Sequence, residues 1–125
     1  MIEIINDVVD MTKGVPEFED RVFRAYPQLC DRMEPFAVVE KSTRTPEMID
    51  DDGNEIIVAL TYTVSVFDYT PEDVDNRVSE LTDIYNRVHI QNIGNVRGFQ
   101  LSNGMYSSQI TISMKVDSRG YIYPR

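Results

Sequence analysis

Acidic side chains are the residues whose type and clustering could support chemistry in this sequence. They are densest at residues 50–52, where three aspartates are consecutive, and at residues 72–75. Clustered carboxylates can bind calcium or act as general acids and bases. Each cluster also fits an ordinary structural role, because Asp52-Gly53 is a turn sequence and acids favour the first turn of a helix. An EF-hand loop spreads its ligands over about twelve residues and closes with a glutamate, whereas a strand pattern follows directly here. The sequence therefore favours a turn and a helix start over a metal site.

The other reactive side chains are isolated from one another. Cys30 is the only cysteine, which excludes a disulfide within the chain and a thiolate metal cage, and we expect it to be small and partly buried. His89 is the only histidine, and we expect it near the end of a helix, where a positive charge is favourable. The sequence has no glycine-rich phosphate loop, no His-x-x-x-His and no Cys-x-x-Cys. These observations predict a protein that is not an enzyme and has no cofactor, no metal and no small-molecule substrate.

Length and composition indicate a single domain spanning residues 1–125. The 125 residues are 42% hydrophobic and 26% charged, which is the balance of an ordinary folded protein. The net charge of −9 repels phosphate, so DNA is expected to pass without specific binding. No stretch approaches the roughly 18 apolar residues of a membrane span, and the N-terminus has acids where a signal peptide has basic residues. We expect no membrane partner and synthesis in a cytoplasm.

Two long alternating segments predict strands at residues 55–67 and 105–117. The second alternates from Tyr106 to Val116 with polar residues between, so one sheet face should be solvated or meet another subunit. In the first, we expect the apolar alternate residues to lie on one buried face: Ile56, Val58, Leu60, Tyr62, Val64 and Val66.

Two segments have helical periodicity. Residues 2–12 place apolar side chains on one side, and residues 71–88 follow Thr70 as the N-cap, with Gly94 and Asn95 as a stop. The apolar stripe of the second helix, which we expect to pack on the sheet, consists of Val74, Val78, Leu81, Tyr85 and Val88. The opposite face has Asp75, Asn76, Arg77, Glu80, Asp83 and Arg87.

Shorter signals complete the predicted order. Strands are predicted at residues 21–26, 36–40, 96–102 and 121–123, with a polar hairpin loop over residues 42–54 and turns at Asp52-Gly53 and Asn103-Gly104. Because consecutive hairpins join most strands, the sheet should be mainly antiparallel. The predicted fold class is α+β: a mainly antiparallel β-sheet of five or six strands with two helices packed on one face.

This layout resembles the small tail terminator (tail completion) proteins of tailed bacteriophages and related prophage particles. The shared pattern is an N-terminal helix, a strand of the type RVFRAY at residues 21–26, and a short apolar strand after a proline, PFAVV at residues 35–39. An aspartate and glycine loop then leads into a long strand, a helix begins with TPED at residues 70–73, and the chain ends with VDSRGYIY at residues 116–123. The resemblance covers nearly the whole chain as a pattern of elements and short phrases.

The resemblance implies a structural protein of the virion tail, assembled in the bacterial host cytoplasm. Such proteins form a homo-oligomeric ring, commonly a hexamer, that caps the tail tube protein, stops polymerisation and presents a surface to the head connector protein. Exposure arguments, and the unpaired edge expected of the strand at residues 121–123, place the subunit or partner interface in two segments. Its predicted residues are Arg44, Thr45, Asp51, Asp52, Arg119, Tyr121 and Tyr123. The alternatives are a phage head-completion or connector protein, a non-catalytic α+β protein-interaction domain, and a small enzyme.

Overall fold

The computed structural model describes residues 2–30, 33–98 and 100–124. The elements are α1 (Ile5–Thr12), a 3-10 turn (Pro16–Phe18), β1 (Val22–Phe23), β2 (Phe36–Ile49), β3 (Glu55–Asp68), α2 (Pro71–Asn86), β4 (Gln91–Arg97) and β5 (Tyr106–Asp117). The strands described form one mixed sheet in the order β1-β2-β3-β5-β4. β1 runs parallel to β2, and the other neighbouring pairs are antiparallel. The predicted α+β class is confirmed.

β3 is the central strand, and its alternation defines the two faces of the sheet. One set of its alternate side chains is buried beneath both helices, together with alternate residues of β5. This helix face consists of Val58, Leu60, Tyr62, Val64, Val66, Ile110, Ile112, Met114 and Val116, each fully buried. The Tyr62 hydroxyl accepts a hydrogen bond from the Ile4 N–H at 3.1 Å, and the Tyr85 hydroxyl lies 2.6 Å from Thr12 Oγ1. Both tyrosines therefore have partners for their polar ends inside the core.

α2 begins as the sequence predicts and ends earlier. Thr70 Oγ1 accepts a hydrogen bond from the Asp73 backbone N–H at 3.0 Å, which confirms the N-cap. The predicted apolar stripe is buried, except that Val88 is partly buried. After the helix, His89 takes a φ of 66° and the Ile90 N–H donates to the Tyr85 carbonyl at 3.0 Å. The predicted stop at Gly94 and Asn95 is wrong, because both residues belong to β4.

Arg77 is buried although it lies on the face of α2 opposite the apolar stripe. Its side chain is 9% exposed and lies 3.6 Å (Nε) from Asp68 Oδ2 and 3.3 Å (Nη1) from Glu80 Oε1. It also forms an ion pair with Glu17. The helix therefore contributes a buried cation as well as its apolar stripe to the folded structure.

The segment 42–54, predicted as a loop, is mostly strand. β2 continues to Ile49 and pairs with β3 along its length, which leaves residues 50–54 for the turn. Gly53 has a φ of 83°, so the predicted turn at Asp52-Gly53 is confirmed. The prediction failed because the second half of β2 is an exposed edge, where strand pairing requires no apolar alternation.

Three shorter strands differ from their predicted positions. The strand predicted at 96–102 is β4, at Gln91–Arg97, and the one predicted at 21–26 is reduced to β1. The turn at Asn103-Gly104 is confirmed by the Gly104 φ of 89°. The strand predicted at 121–123 is a single bridge, in which Ile122 pairs with Val116. The terminal segment thus folds back onto β5 and does not extend as a strand with a long edge.

A second, smaller apolar cluster lies on the sheet face away from the helices. The rings of Phe36 and Phe67 stack with centroids 4.4 Å apart. Around them lie Val38 and Met105, which are buried, and Phe23, Met33 and Leu101, which pack against the cluster. Loops before β2 and before β5 therefore cover one end of this face.

Candidate interaction surfaces

The two segments predicted as interfaces lie together at one end of the sheet. We call residues 48–56 the hairpin tip and residues 117–123 the terminal turn. Together with the N-terminal residues they line a shallow cavity of about 290 Å³, formed by Ile2, Glu3, Asn54, Glu55, Asp117, Ser118 and Gly120. Antiparallel pairing of β3 with β5 causes this proximity, because it places Ile57 opposite Asp117.

Asp117 organises the terminal turn. Its carboxylate accepts hydrogen bonds from the backbone N–H groups of Arg119 at 2.9 Å and Tyr121 at 3.1 Å. The Arg119 guanidinium donates at 2.8 Å and the Tyr123 hydroxyl at 3.2 Å. These bonds, led by that from Arg119, lower the pKa of Asp117 to about 2. Arg119 and Tyr123 thus hold the turn together, while Tyr121 is 51% exposed and packs edge-on against Tyr123.

Asp50 stabilises the hairpin tip from within. Its Oδ1 accepts hydrogen bonds from the backbone N–H groups of Asp52 at 3.0 Å and Asn54 at 2.8 Å. Hydrogen bonding, chiefly from the Asn54 backbone, lowers the pKa of Asp50. Asp51 and Asp52 are exposed at the turn, so two of the predicted interface residues are accessible to a partner.

Arg44 and Thr45 are adjacent but differ in their surroundings. The Arg44 guanidinium bonds to Glu55 and donates from Nε to the Ile2 carbonyl at 3.2 Å. The bond from Arg44 is the main cause that lowers the pKa of Glu55. Arg44 is thus half-buried and joins β2, β3 and the N-terminus, whereas Thr45 is exposed opposite Ala59.

The hairpin tip also has three exposed aliphatic side chains that the interface prediction omitted. Met48 is 50% exposed and Ile49 is 55% exposed. Ile56 is 38% exposed, so its predicted place on the buried face of the sheet is wrong. All three are exposed because β5 pairs with β3 only from Ile57 onward, so the tip extends past its neighbour. The signal for Met48 and Ile49 was present in the sequence, as apolar residues inside a segment taken to be a polar loop.

Beyond the second cluster, the face of the sheet away from the helices is rich in hydroxyl groups. Cross-strand pairing places Thr61 beside Ser113 and Thr63 beside Thr111, and all four side chains are half-buried. Thr43 and Ser42 of β2 extend this hydroxyl face through hydroxyl contacts with Thr61 and Thr63. No described element lies over this part of the sheet, so it is available as a broad surface rich in hydroxyl groups.

An apolar groove of about 270 Å³ lies between the second cluster and the edge strand β4. It is lined by Tyr26, Ser65, Phe67, Val96, Gly98, Leu101, Ser107, Ser108 and Gln109, none of which has a charge. The Tyr26 hydroxyl lies 3.0 Å from Ser65 Oγ, and the Tyr26 ring packs edge-on against Phe67. A Cβ on Gly98 would lie 2.2 Å from Ser107 Oγ, so a larger residue there would require the Ser107 side chain to move. Val96 at the rim is 67% exposed.

Carboxylates surround the buried guanidinium of Arg77 on three sides. The bond from Arg77 lowers the pKa of Glu17, whereas burial raises the pKa of Asp68 and of Glu80. This cluster joins the 3-10 turn, the end of β3 and α2, and its contacts are internal. It therefore positions α2 on the sheet and does not form part of the surfaces described above.

Other candidate chemistry is dispersed over the surface. Cys30 is exposed, in contrast to the expected partial burial, and His89 is exposed after α2. Within residues 2–30, 33–98 and 100–124, no group of three or more His, Cys, Asp or Glu side chains is placed to hold a metal ion. In the same ranges no helix has the length and apolar character needed to span a bilayer. Comparison of the chain with protein-family models and with curated proteins finds no match.

Proposed function

We propose that this chain is a structural subunit of a tailed phage or phage-derived particle, of the tail terminator type. Copies associate into a ring, a hexamer as the resemblance implies, that caps the tail tube and offers an attachment surface to the head connector. The observation that supports this proposal best is the uncovered hydroxyl face beside two separate exposed surfaces, the hairpin tip and the groove. A subunit of a ring needs at least two such surfaces, one for each neighbour.

The charge balance supports the same function. A net charge of −9 disfavours stable contact with phosphates at physiological salt. A ring with an acidic or uncharged channel wall lets DNA move through without capture. In this function the protein acts through shape and contacts, and it requires no cofactor and no catalytic residue.

Deletion of the gene in the bacterium that produces the particle tests the function directly. Without the cap, electron microscopy should show tail tubes of uncontrolled length that lack heads, and a wild-type copy supplied in trans should restore finished particles. Tails of normal length with heads attached in the deletion strain would contradict the proposal. Native mass spectrometry provides a second measurement, since a hexamer of 14.4 kDa subunits has a mass of about 86 kDa.

A non-catalytic interaction domain is the second candidate function. The observation that favours it is the outer edge of β4, where Ile93 is 54% exposed and Val96 is 67% exposed, because such an edge can accept a strand from another protein. This candidate predicts normal tails in the deletion strain and a monomer or dimer in solution.

A further inference from the structure

The exposed aliphatic side chains of the hairpin tip and the apolar groove are two apolar features that no described element of the fold covers. The tip is convex and extends past β5, whereas the groove is concave and lies at the other end of β3. Ile56 and Phe67 are about 35 Å apart along the strand, at roughly 3.3 Å per residue. A tip therefore cannot reach the groove of its own chain.

We propose that the hairpin tip of one copy docks in the groove of the next copy. Met48 and Ile49 of the tip insert between Tyr26, Phe67 and Val96 of the neighbour. Because the two surfaces differ, the contact is heterologous, and repetition with a closing rotation produces a ring. The inference rests on the proposed function and specifies the subunit contact of that ring.

A second copy of this chain is the occupant because its tip presents exposed aliphatic side chains that an uncharged groove can accept. In a chain with 21 acidic residues, two copies repel each other wherever acids meet. The groove lining has no charged residue, and Arg97 beside it already pairs with Asp75 at 2.7 Å. An aliphatic tip can enter this uncharged groove while the aspartates of its turn remain outside in water.

Polar groups in the groove wall already have hydrogen-bond partners, so the groove can bind an apolar side chain. The hydroxyl groups of Tyr26 and Ser65 are hydrogen-bonded to each other, and Gln109 Nε2 lies 3.5 Å from Ser65 Oγ. Burial of this wall leaves those hydroxyl groups with partners, so docking avoids the cost of an unsatisfied polar group. The docked side chains gain apolar contact with Phe67 and Val96 of the groove.

Two single variants and their mixture test the contact. Ile49→Asp places a charge on the tip, and Val96→Asp places one at the groove rim. Both positions are solvent-exposed in the monomer, so each variant should keep the wild-type circular dichroism spectrum and thermal midpoint. Light scattering after gel filtration should show a closed oligomer for the wild type and monomers for each variant at the same concentration.

The mixture distinguishes a heterologous contact from a symmetric one. Ile49→Asp subunits keep an intact groove and Val96→Asp subunits keep an intact tip, so an equimolar mixture should form heterodimers and nothing larger. Ile93→Asp is the matched control, because Ile93 is exposed on the same strand and does not line the groove. It should assemble like the wild type.

Each other result overturns the inference. A wild-type ring that persists in both variants excludes the tip and groove as its contact, and loss of the ring in Ile93→Asp assigns the contact to the β4 edge in general. A wild type that stays monomeric excludes self-docking. The gene deletion decides the proposed function independently, since tail length does not depend on which surfaces join the subunits.

Discussion

The buried ion pair between Arg77 and Asp68 allows a quantitative prediction about stability. Replacement of Arg77 by Met keeps an aliphatic chain in place and removes the charge. Arg77 Nε lies 3.6 Å from Asp68 Oδ2, and the two side chains are 9% and 5% exposed. At an effective dielectric constant of about 20, a pair at this separation attracts by about 4 to 5 kcal/mol. The variant avoids the cost of burying a guanidinium but leaves the Asp68 carboxylate buried without its partner. We expect a loss of about 3 kcal/mol in the free energy of unfolding, the lower end of the range for broken buried pairs.

Urea denaturation at pH 7 measures this loss, since urea does not screen charges. Arg97→Met is the matched control, because its ion pair with Asp75 is exposed and should contribute less than about 1 kcal/mol. In an Asp68→Asn background, Arg77→Met should cost less, with a coupling of about 1 to 3 kcal/mol. An equal cost in both backgrounds would refute the assignment of the effect to this pair.

The pH dependence gives an independent check. Burial already raises the pKa of Asp68 in the folded protein, and removal of Arg77 should raise it further. An acid with a raised folded pKa destabilises the protein while ionised, and protonation relieves this penalty as the pH falls towards the ordinary value of 3.8. The loss in the free energy of unfolding caused by Arg77→Met should therefore be smaller at acidic pH than at pH 7. A larger loss at acidic pH would contradict the reasoning.

Two further predictions concern the ends of elements. Thr70→Ala removes the bond to the Asp73 N–H and should lower the free energy of unfolding by about 1 kcal/mol in thermal denaturation, whereas Thr70→Ser should be nearly neutral; a full loss in the serine variant would argue against capping. Asp117 has a folded pKa of about 2, below its ordinary 3.8, so its contribution to stability is present above about pH 4 and is lost as the pH falls to about 2. In urea titrations between pH 5 and pH 2, wild-type stability should fall more steeply than that of Asp117→Asn; parallel curves would exclude Asp117 as a source of acid sensitivity.

Local periodicity predicted the elements that have a buried face. β3, β5 and α2 were predicted close to their observed bounds, because burial against the sheet imposes a period of two or of 3.6 on the apolar residues. The turns at Asp52-Gly53 and Asn103-Gly104 were predicted because glycine accepts the positive φ found there. The predicted interface segments were defined by expected exposure and by an expected unpaired strand edge, and their proximity in space became evident only in the fold.

Other features depend on residues distant in the chain. The polar half of β2 is a strand because β3 supplies its hydrogen-bond partners, and no local pattern encodes that partner. Arg77 is buried because Asp68 and Glu17 lie where the packed helix places the guanidinium. The groove forms where loops before β2 and before β5 meet over Phe67. Amino-acid order alone thus determined the elements that bury one face, β3, β5 and α2, since that burial imposes a period on their apolar residues. Tertiary packing decided which surfaces remain exposed, since exposure depends on the neighbours that non-local pairing brings to each residue.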